Sequence, residues 1–409
     1  AVLGEQLNFY GVLDHDLVSF PQAHLVLGRE QMLMPTSGFY ITTQLEEVTF
    51  EPWFTFVDDL LTSTGAENTS QGEPLFPAPE RISGNIKKLS VLGQDFTDVS
   101  YSVVDEQAWQ LLQLNAKEAR AAIKFFPDWL EQGVAVDADF IHLPEDESIA
   151  ASGEHSVSTV PDVIALSEDK PTISDEQLFA QLPPLQVKCR SCKIGLLDLG
   201  EVNFTVERVS PSQIELSNFV AKRGRTKLTV DGMWQFNESF SQTSLNGNFT
   251  ARNIGREIEK LGYASIIKDS GVNMNFDMDW QGGPHRYQLA TLNGNVSSAL
   301  NAGYLADVDD KGLRIFSILS LQSLVRKLTL DFRDIFSDGL FYSEIKGDMN
   351  INSGVLYTDN TRLKGTAGDL LIKGNTDLNK GVLDYYMSYK PNLTSSLPVL
   401  AWIATLNPV

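Results

Sequence analysis

A strict alternation of apolar and polar residues dominates this chain, and it is clearest from Val272 to Trp280. In this stretch the apolar residues Val, Met, Phe, Met and Trp alternate with Asn, Asn, Asp and Asp. Successive side chains of a β-strand point to opposite faces of a sheet, whereas a helix would scatter these residues around its circumference. The pattern therefore predicts a strand with one apolar face and one polar face.

The same alternation recurs along most of the chain. A sheet whose strands carry one apolar and one polar face is typical of antiparallel pairing. We therefore predict a mainly β protein built from antiparallel strands. The shorter alternations are Val48 and Phe50; Val99, Tyr101 and Val103; Val134 and Val136; Val202, Phe204 and Val206; Leu228 and Val230; Leu245 and Phe249; Leu328, Leu330 and Phe332; Met349 and Ile351; and Leu383, Tyr385, Met387 and Tyr389.

A short phrase also repeats, in which an apolar residue, a polar residue and glycine are followed by a further, usually polar, residue. Glycine inside a strand marks a bulge, a bend or a close backbone approach. Alternatively, Asn-Gly forms hairpin turns. Both interpretations build a meander of hairpins. The copies begin at Leu245, Leu292, Ile345, Leu363 and Ile372, with looser copies at Ile82 and Val230.

Three segments show helical spacing of their apolar residues. They are Pro52 to Leu61, Asn253 to Ile267 and Leu313 to Leu328. Asn253 is a residue type that caps helix N-termini, and Pro52 is tolerated in a first turn. An apolar stripe on a short helix is typical of packing against a core. We expect these helices to pack against the sheet.

Two segments have the composition of linkers. Ser63 to Glu80 is rich in Gly, Pro and Ser, and Glu145 to Pro184 is long and dominated by acidic residues. The second segment divides the chain into a β segment at 1–144, an acidic linker or insert at 145–184, and a β segment at 185–409. The chain does not begin with Met, its opening has the pattern of mid-domain sequence and it ends inside an apolar segment, so we expect it to be a piece of a longer protein.

The charge of the chain narrows its partners. Lys and Arg number 32 against 53 Asp and Glu, which gives a net charge of −21. Such a chain is repelled by polyanions and by anionic lipid surfaces. We therefore predict no nucleic-acid partner, and we expect any contact with lipid to be hydrophobic.

Motifs for catalysis, cofactors and metals are missing from the sequence. There is no glycine-rich phosphate loop, nucleophile elbow or paired-histidine motif, and the five histidines have no ligand spacing. We therefore predict neither an enzyme nor a bound cofactor or metal. The Cys189-Arg-Ser-Cys192 motif favours a disulfide in an oxidising compartment, with two free thiols, or redox or metal chemistry, as the alternatives.

The order of motifs in the C-terminal half resembles the AsmA-like superfamily, specifically the C-terminal region of its YhdP type. The resemblance covers residues 185–409 well and residues 1–140 more loosely. The motifs are Leu261-Gly-Tyr263, the strand ending in Trp280-Gln-Gly-Gly-Pro284, Leu292-Asn-Gly-Asn295, Gly312 to Phe316, Leu328 to Phe332, Asp338-Gly339, Ile345-Lys-Gly-Asp348, Gly354-Val355 and Pro391 to Pro398.

This resemblance implies a long periplasmic bridge of a Gram-negative bacterium, anchored in the inner membrane. It implies an elongated, curled antiparallel sheet that forms an open hydrophobic groove and conducts phospholipids towards the outer membrane, with both membranes contacted by regions outside this chain. The alternative is a structural scaffold of the cell envelope with a sealed β core. The expected groove-lining residues are Val202, Phe204, Val206, Leu228, Val230, Val272, Met274, Phe276, Met278, Trp280, Leu328, Leu330, Phe332, Met349 and Ile351.

Overall fold

A computed structural model describes residues 7–14, 19–28, 37–49, 79–91, 94–144, 174–262, 265–306, 340–366 and 368–391. The chain divides into two compact units. The first unit comprises Ala1–Asp146 and Pro183–Asn203, and the second comprises Glu147–Leu182 and Phe204–Val409.

The first unit is a sheet in which each strand pairs with the next one along the chain. Most pairs are antiparallel, but β2–β3, β3–β4 and β8–β9 are parallel. A four-residue helix, α1 (Trp129–Gln132), precedes β8. The strands are β1 Leu7–Asp14, β2 Ser19–Leu27, β3 Gly38–Thr49, β4 Pro79–Val91, β5 Gln94–Asp105, β6 Gln110–Asn115, β7 Ala119–Phe125, β8 Val134–Leu143 and β9 Leu185–Ile194.

In the second unit, the described pairs among strands β11 to β21 are antiparallel. Strand β10 (Leu197–Ser210) begins in the first unit and ends in the second. The remaining strands are β11 Gln213–Arg223, β12 Thr226–Asn237, β13 Phe240–Ala251, β14 Ile267–Lys268, β15 Val272–Gln281, β16 Asn293–Leu300, β17 Gly303–Leu305, β18 Leu340–Asn352, β19 Val355–Gly365, β20 Gly368–Asp377 and β21 Val382–Pro391.

The predicted fold class is confirmed, since strands dominate the described residues and the helices are few and short. Two details differ from the prediction. The first unit contains parallel pairs, which the alternation pattern alone cannot distinguish from antiparallel ones. The sheet in each unit is also open and uncurled rather than curled, and each strand mainly contacts the strands beside it.

The described residues contain three α-helices, α1, α2 (Asp175–Gln181) and α3 (Ile254–Lys260), and a 3-10 helix at Leu289–Thr291. The predicted helix at Asn253 is confirmed as α3, whose first turn is capped by the Asn253 side chain accepting from Arg256 N at 3.1 Å. This helix ends before the predicted boundary. The predicted helices at 52–61 and 313–328 lie outside the described residues, and α2 forms near the end of the acidic segment at 145–184.

The repeated glycines lie inside strands rather than in hairpin turns. Gly232, Gly247 and Gly294 belong to β12, β13 and β16, which confirms the close-approach interpretation. A Cβ added to Gly294 would lie 2.1 Å from the Asp277 carbonyl oxygen, and one added to Gly232 would lie 2.5 Å from Leu245 Cδ2. Glycine at these positions allows a neighbouring strand or side chain to lie close against the backbone.

Candidate functional site

The apolar face of β15 is the centre of the site. Val272 and Trp280 are buried, whereas Met274, Phe276 and Met278 between them are half-buried. The polar residues that alternate with them are mostly exposed. Strand alternation therefore separates the side chains as the sequence predicts, with the apolar ones partly shielded by each other.

Cross-strand register extends this apolar face over the neighbouring strands. Phe276 lies opposite Gly247 on β13 and opposite Val296 on β16. In the next rows, Met274 lies opposite Phe249 and Met278 opposite Leu245. Side chains directly opposite each other on one face are in contact distance, so the register assembles a continuous apolar surface. The row through Phe276 reads Phe219, Val230, Gly247, Phe276, Val296 and Met349 across β11 to β18.

The structure brings most of the predicted lining residues of the second unit to this face. Leu228 and Val230 lie opposite Phe249 and Gly247, and Met349 and Ile351 lie opposite Val296 and Gly294. The predicted residues of β15, which are Val272, Met274, Phe276, Met278 and Trp280, complete this group.

The remaining predicted lining residues that the structure describes lie on β10. On β10, the Phe204 ring is stacked on Phe219 with centroids 5.9 Å apart, and Val206 packs beside Phe179. Val202 is buried but belongs to the first unit. The positions 328, 330 and 332 lie outside the described residues.

Helix α2 covers one margin of this face. Its Phe179 is 5% exposed and packs on Ile214 and Trp234, which are buried side chains of β11 and β12. The rings of Phe179 and Trp234 meet edge to face, with centroids 5.0 Å apart, and Phe236 lies 5.2 Å from Phe179. This helix therefore occupies the ends of β11 and β12 on their apolar side.

The segment after β15 covers the same margin further along the sheet. Tyr287 and Leu289 pack on the cluster formed by Trp280, Leu292 and Val296. The Tyr287 and Trp280 rings meet edge to face at 5.4 Å. Helix α2 and this segment thus follow one another along the same ends of successive strands.

Helix α3 marks the opposite margin. Its Glu257 accepts a hydrogen bond from Arg223 and another from Thr226 Oγ1 at 3.1 Å. Arg223 and Thr226 are paired where β11 ends and β12 begins. In the alternation of each strand they fall on the same face as the apolar residues. The apolar face of β11 and β12 is therefore flanked at both strand ends by short helices.

The part of the face between these margins is called the apolar strip here. A strand rises about 3.3 Å per residue, so Leu228 to Gly232 on β12 spans roughly 13 Å. The strip is lined by Leu228, Val230, Gly232, Leu245, Gly247, Phe249, Met274, Phe276, Met278 and Val296.

The opposite face of the same sheet is a hydrogen-bonding surface. The Asn248 side-chain amide donates to Asn273 Oδ1 at 2.7 Å and to Asn275 Oδ1 at 2.8 Å. On the adjacent strands, Ser297 Oγ donates to Asp348 at 2.6 Å, and this bond is the main cause that lowers the pKa of Asp348, with Asn360 contributing. These contacts bind strand to strand through polar groups.

A depression of about 400 Å³ lies on this polar face. Amide, hydroxyl and charged side chains line it, including Asn273, Ser297, Asp348 and Arg362. Because its lining residues lie on the polar face of the sheet, this depression is not part of the apolar strip.

The first unit has an apolar face of its own. Val48, Ile86, Val99 and Ala116 form a buried cluster on β3 to β5 and the turn after β6. Tyr101 packs against this cluster and its hydroxyl lies 2.8 Å from Thr43 Oγ1. Burial raises the pKa of the Tyr101 phenol, and the Thr43 contact partly opposes that rise.

A disulfide joins Cys189 and Cys192 on β9, next to β8. No cluster of three or more His, Cys, Asp or Glu suited to a metal occurs among the described residues. Within the same ranges, no helix is long and apolar enough to cross a membrane.

Sequence reasoning missed Trp234, Phe236, Leu292 and Phe179. Trp234 and Phe236 continue the alternation of Leu228 and Val230, but Gly232 interrupts the apolar series between them. Phe179 belongs to a short helix inside an acidic segment, where composition alone predicts a solvated insert. A signal for α2 is nevertheless present, since Ser174 and Gln177 form a capping box at its start.

An open, largely antiparallel sheet with a continuous apolar face and a hydrogen-bonded polar face defines the class of this protein as an amphipathic single-layer β protein. The YhdP family model, described as "YhdP protein", matches residues 1–409, so the chain belongs to the YhdP family. It is 26% identical over 348 residues to the intermembrane phospholipid transporter YhdP of Escherichia coli strain K12. That match covers 84% of this chain and 26% of the relative's length. No solved structure matches the chain.

Proposed function

We propose that this chain is a segment of a bridge-like lipid transfer protein that conducts phospholipids across the periplasm between the inner and outer membranes and so supports the outer-membrane barrier. The observation that carries this proposal is the apolar strip, a continuous apolar surface across neighbouring strands on which Met274, Phe276 and Met278 are only half-buried. Membership of the YhdP family and similarity to a phospholipid transporter support it.

The energetic reason is the cost of acyl chains in water. Each CH₂ group exposed to water costs about 0.8 kcal/mol, so a sixteen-carbon chain costs on the order of 12 kcal/mol, and a phospholipid has two. A continuous apolar surface removes most of that cost at every point along the path. Transfer along such a surface needs no catalytic group.

The residue types on the strip suit a disordered ligand. Met274 and Met278 flank Phe276, and the flexible thioether of methionine adapts to irregular apolar surfaces. The roughly 13 Å between the α2 and α3 margins gives acyl chains lateral boundaries without a curled sheet. The polar headgroup is left in water, so no dedicated polar pocket is required.

A periplasmic location for the full-length protein, with anchorage in the inner membrane, completes the proposal. A disulfide between Cys189 and Cys192 is compatible with this compartment, because disulfides persist in the oxidising periplasm and are rare in the cytosol. The membranes would be contacted by regions outside this chain.

Photo-crosslinking on one strand tests the proposal. A benzoylphenylalanine at Phe276 should label radiolabelled phosphatidylethanolamine supplied in phosphatidylcholine vesicles, whereas the same residue at Asn275 should not. The two positions are adjacent in sequence and point to opposite faces, so they share the same backbone environment. Equal labelling at both positions, or none at Phe276, would contradict the proposal and favour a non-conducting scaffold.

A substitution complements the labelling. Phe276→Asp places a carboxylate in the middle of the strip and should remove co-purified phospholipid, since a charge disfavours contact with an acyl chain. Asn275→Asp is the matched control and should retain the lipid. Extraction into organic solvent followed by mass spectrometry measures both, with circular dichroism to confirm that each variant is folded.

A further inference from the structure

Helix α2 lies on apolar surface that is continuous with the strip. Phe179 covers Ile214 and Trp234, and Trp234 is separated from the strip residue Gly232 by one residue of the same strand. The side chain of Phe179 therefore occupies positions where an acyl chain on the strip would otherwise extend.

The carboxylate of Asp175 joins the start of this helix to the sheet. Asp175 Oδ2 accepts from Ser241 Oγ at 2.6 Å and from the backbone N–H of Gly283 at 2.9 Å. Its other oxygen lies 3.5 Å from His285 Nε2 and 3.7 Å from an Arg286 nitrogen. These contacts, called the Asp175 clamp here, join α2 to β13 and to the segment after β15.

The clamp is connected to the surface under the helix. Trp234 Nε1 donates to Ser241 Oγ at 3.1 Å, and Ser241 in turn donates to Asp175. At the other end of the helix, Arg208 donates to the Phe179 carbonyl oxygen, and its guanidinium carbon lies 4.6 Å from the centre of the Phe179 ring. Asp175 itself is largely buried, which strengthens hydrogen bonds to its carboxylate.

We propose that α2 is a side wall of the strip and that Asp175 is the positioning residue that sets how much of the apolar face is open to acyl chains. The inference rests on the proposed function, because a wall has meaning only where lipid lies on the strip. A seven-residue helix is too short to be stable on its own in water, so its presence over Trp234 depends on its contacts with the sheet. Loss of the clamp frees the helix and widens the strip.

Comparing Asp175→Asn with Asp175→Ala shows whether the hydrogen bonds accepted by residue 175 hold the helix in place. In Asp175→Asn the amide oxygen still accepts from Ser241 and Gly283, so the wall should remain. In Asp175→Ala both hydrogen bonds are lost and the wall should open. Ser241→Ala removes one of the two hydrogen bonds to Asp175 and the hydrogen bond from Trp234 Nε1. It should therefore open the wall less than Asp175→Ala does.

The experiment uses two phenylalanines on the same face. Benzoylphenylalanine replaces either Phe276, in the middle of the strip, or Phe236, beside Phe179, in the full chain. The probe is radiolabelled phosphatidylethanolamine in phosphatidylcholine vesicles, and circular dichroism verifies the fold of each variant.

With Asp175 intact, lipid should label position 276 strongly and position 236 weakly. Asp175→Ala should raise labelling at 236 several-fold and leave labelling at 276 unchanged, Ser241→Ala should act in the same direction, and Asp175→Asn should resemble the parent. Labelling at 276 with no rise at 236 in either alanine variant would overturn the side-wall proposal while the proposed function stands. Absence of labelling at 276 in every variant would overturn both.

Discussion

The two faces of the sheet in the second unit are built from the same strands, yet they are held together by different forces. On β15, Phe276 and Met278 pack against apolar neighbours, whereas Asn275 is bound by the side chain of Asn248. The apolar face gains free energy by removing surface from water, and this gain is not directional. The polar face depends on hydrogen bonds whose net contribution is modest because water competes for them. An apolar ligand can therefore take the place of apolar side-chain contacts on the apolar face without matching a fixed geometry. The polar face, which depends on directed hydrogen bonds, does not allow this.

The largest expected difference between the faces concerns stability. Trp280 is 5% exposed and packs on Leu292, Val296 and Tyr287. Trp280→Ala should lower the free energy of unfolding of the second unit by about 3–5 kcal/mol, because it removes a large buried ring and leaves a cavity. The exposed Asp277 on the polar face provides the matched variant, and Asp277→Ala should change stability by less than about 0.5 kcal/mol.

Urea denaturation of the two variants measures this contrast. Because the chain has two compact units, the transition of the second unit should be followed by hydrogen exchange of β15 and β16 amides. Similar losses for Trp280→Ala and Asp277→Ala would mean that the two faces contribute equally, contrary to the comparison.

A smaller effect is expected where glycine lets strands approach each other on the apolar face. Gly294 has φ of +145°, and an added Cβ would lie 2.1 Å from the Asp277 carbonyl oxygen. Gly294→Ala should therefore cost about 2–3 kcal/mol through backbone strain and displacement of β15.

Gly224 in the turn between β11 and β12 is the matched control for that substitution. Its φ is +60°, but nothing lies within 4 Å of an added Cβ, so Gly224→Ala should cost only about 1 kcal/mol. Thermal unfolding of both variants measures the difference. A larger loss for Gly224→Ala than for Gly294→Ala would show that strand approach is not what requires glycine at 294.

Strands such as β12 and β15 could be predicted from sequence because each carries its own signal. Alternation from Val272 to Trp280 identifies the strand and its apolar face without any knowledge of its neighbours. The glycine phrases also indicate where strands approach closely, as Gly294 shows. Family resemblance then supplies a function that alternation by itself does not specify, since the same pattern is typical of a sealed sandwich core.

The margins of the strip could not be predicted because their contacts join residues far apart in sequence. Asp175 meets Ser241 and Gly283, and Glu257 meets Arg223, through distances set by the folded sheet. Local composition instead indicates a solvated acidic segment around Asp175. The parallel pairing of β8 and β9 could not be predicted from their local sequences either. A parallel strand and an antiparallel strand with one exposed face show the same alternation.

The smallest expected effect belongs to the polar face and concerns the pKa of Asp348. The hydrogen bond from Ser297 Oγ, assisted by Asn360, lowers this pKa in the folded protein. A lowered pKa means that the carboxylate stabilises the fold above its unfolded pKa, and that this contribution is lost as pH falls through the folded pKa. Ser297→Ala should raise the pKa of Asp348 towards its ordinary value and reduce the acid-dependent part of stability, whereas labelling of lipid at Phe276 on the other face should not change. NMR titration of the Asp348 carboxyl carbon measures the shift, and an unchanged pKa in Ser297→Ala would show that the bond across the polar face does not hold Asp348 in its ionised form.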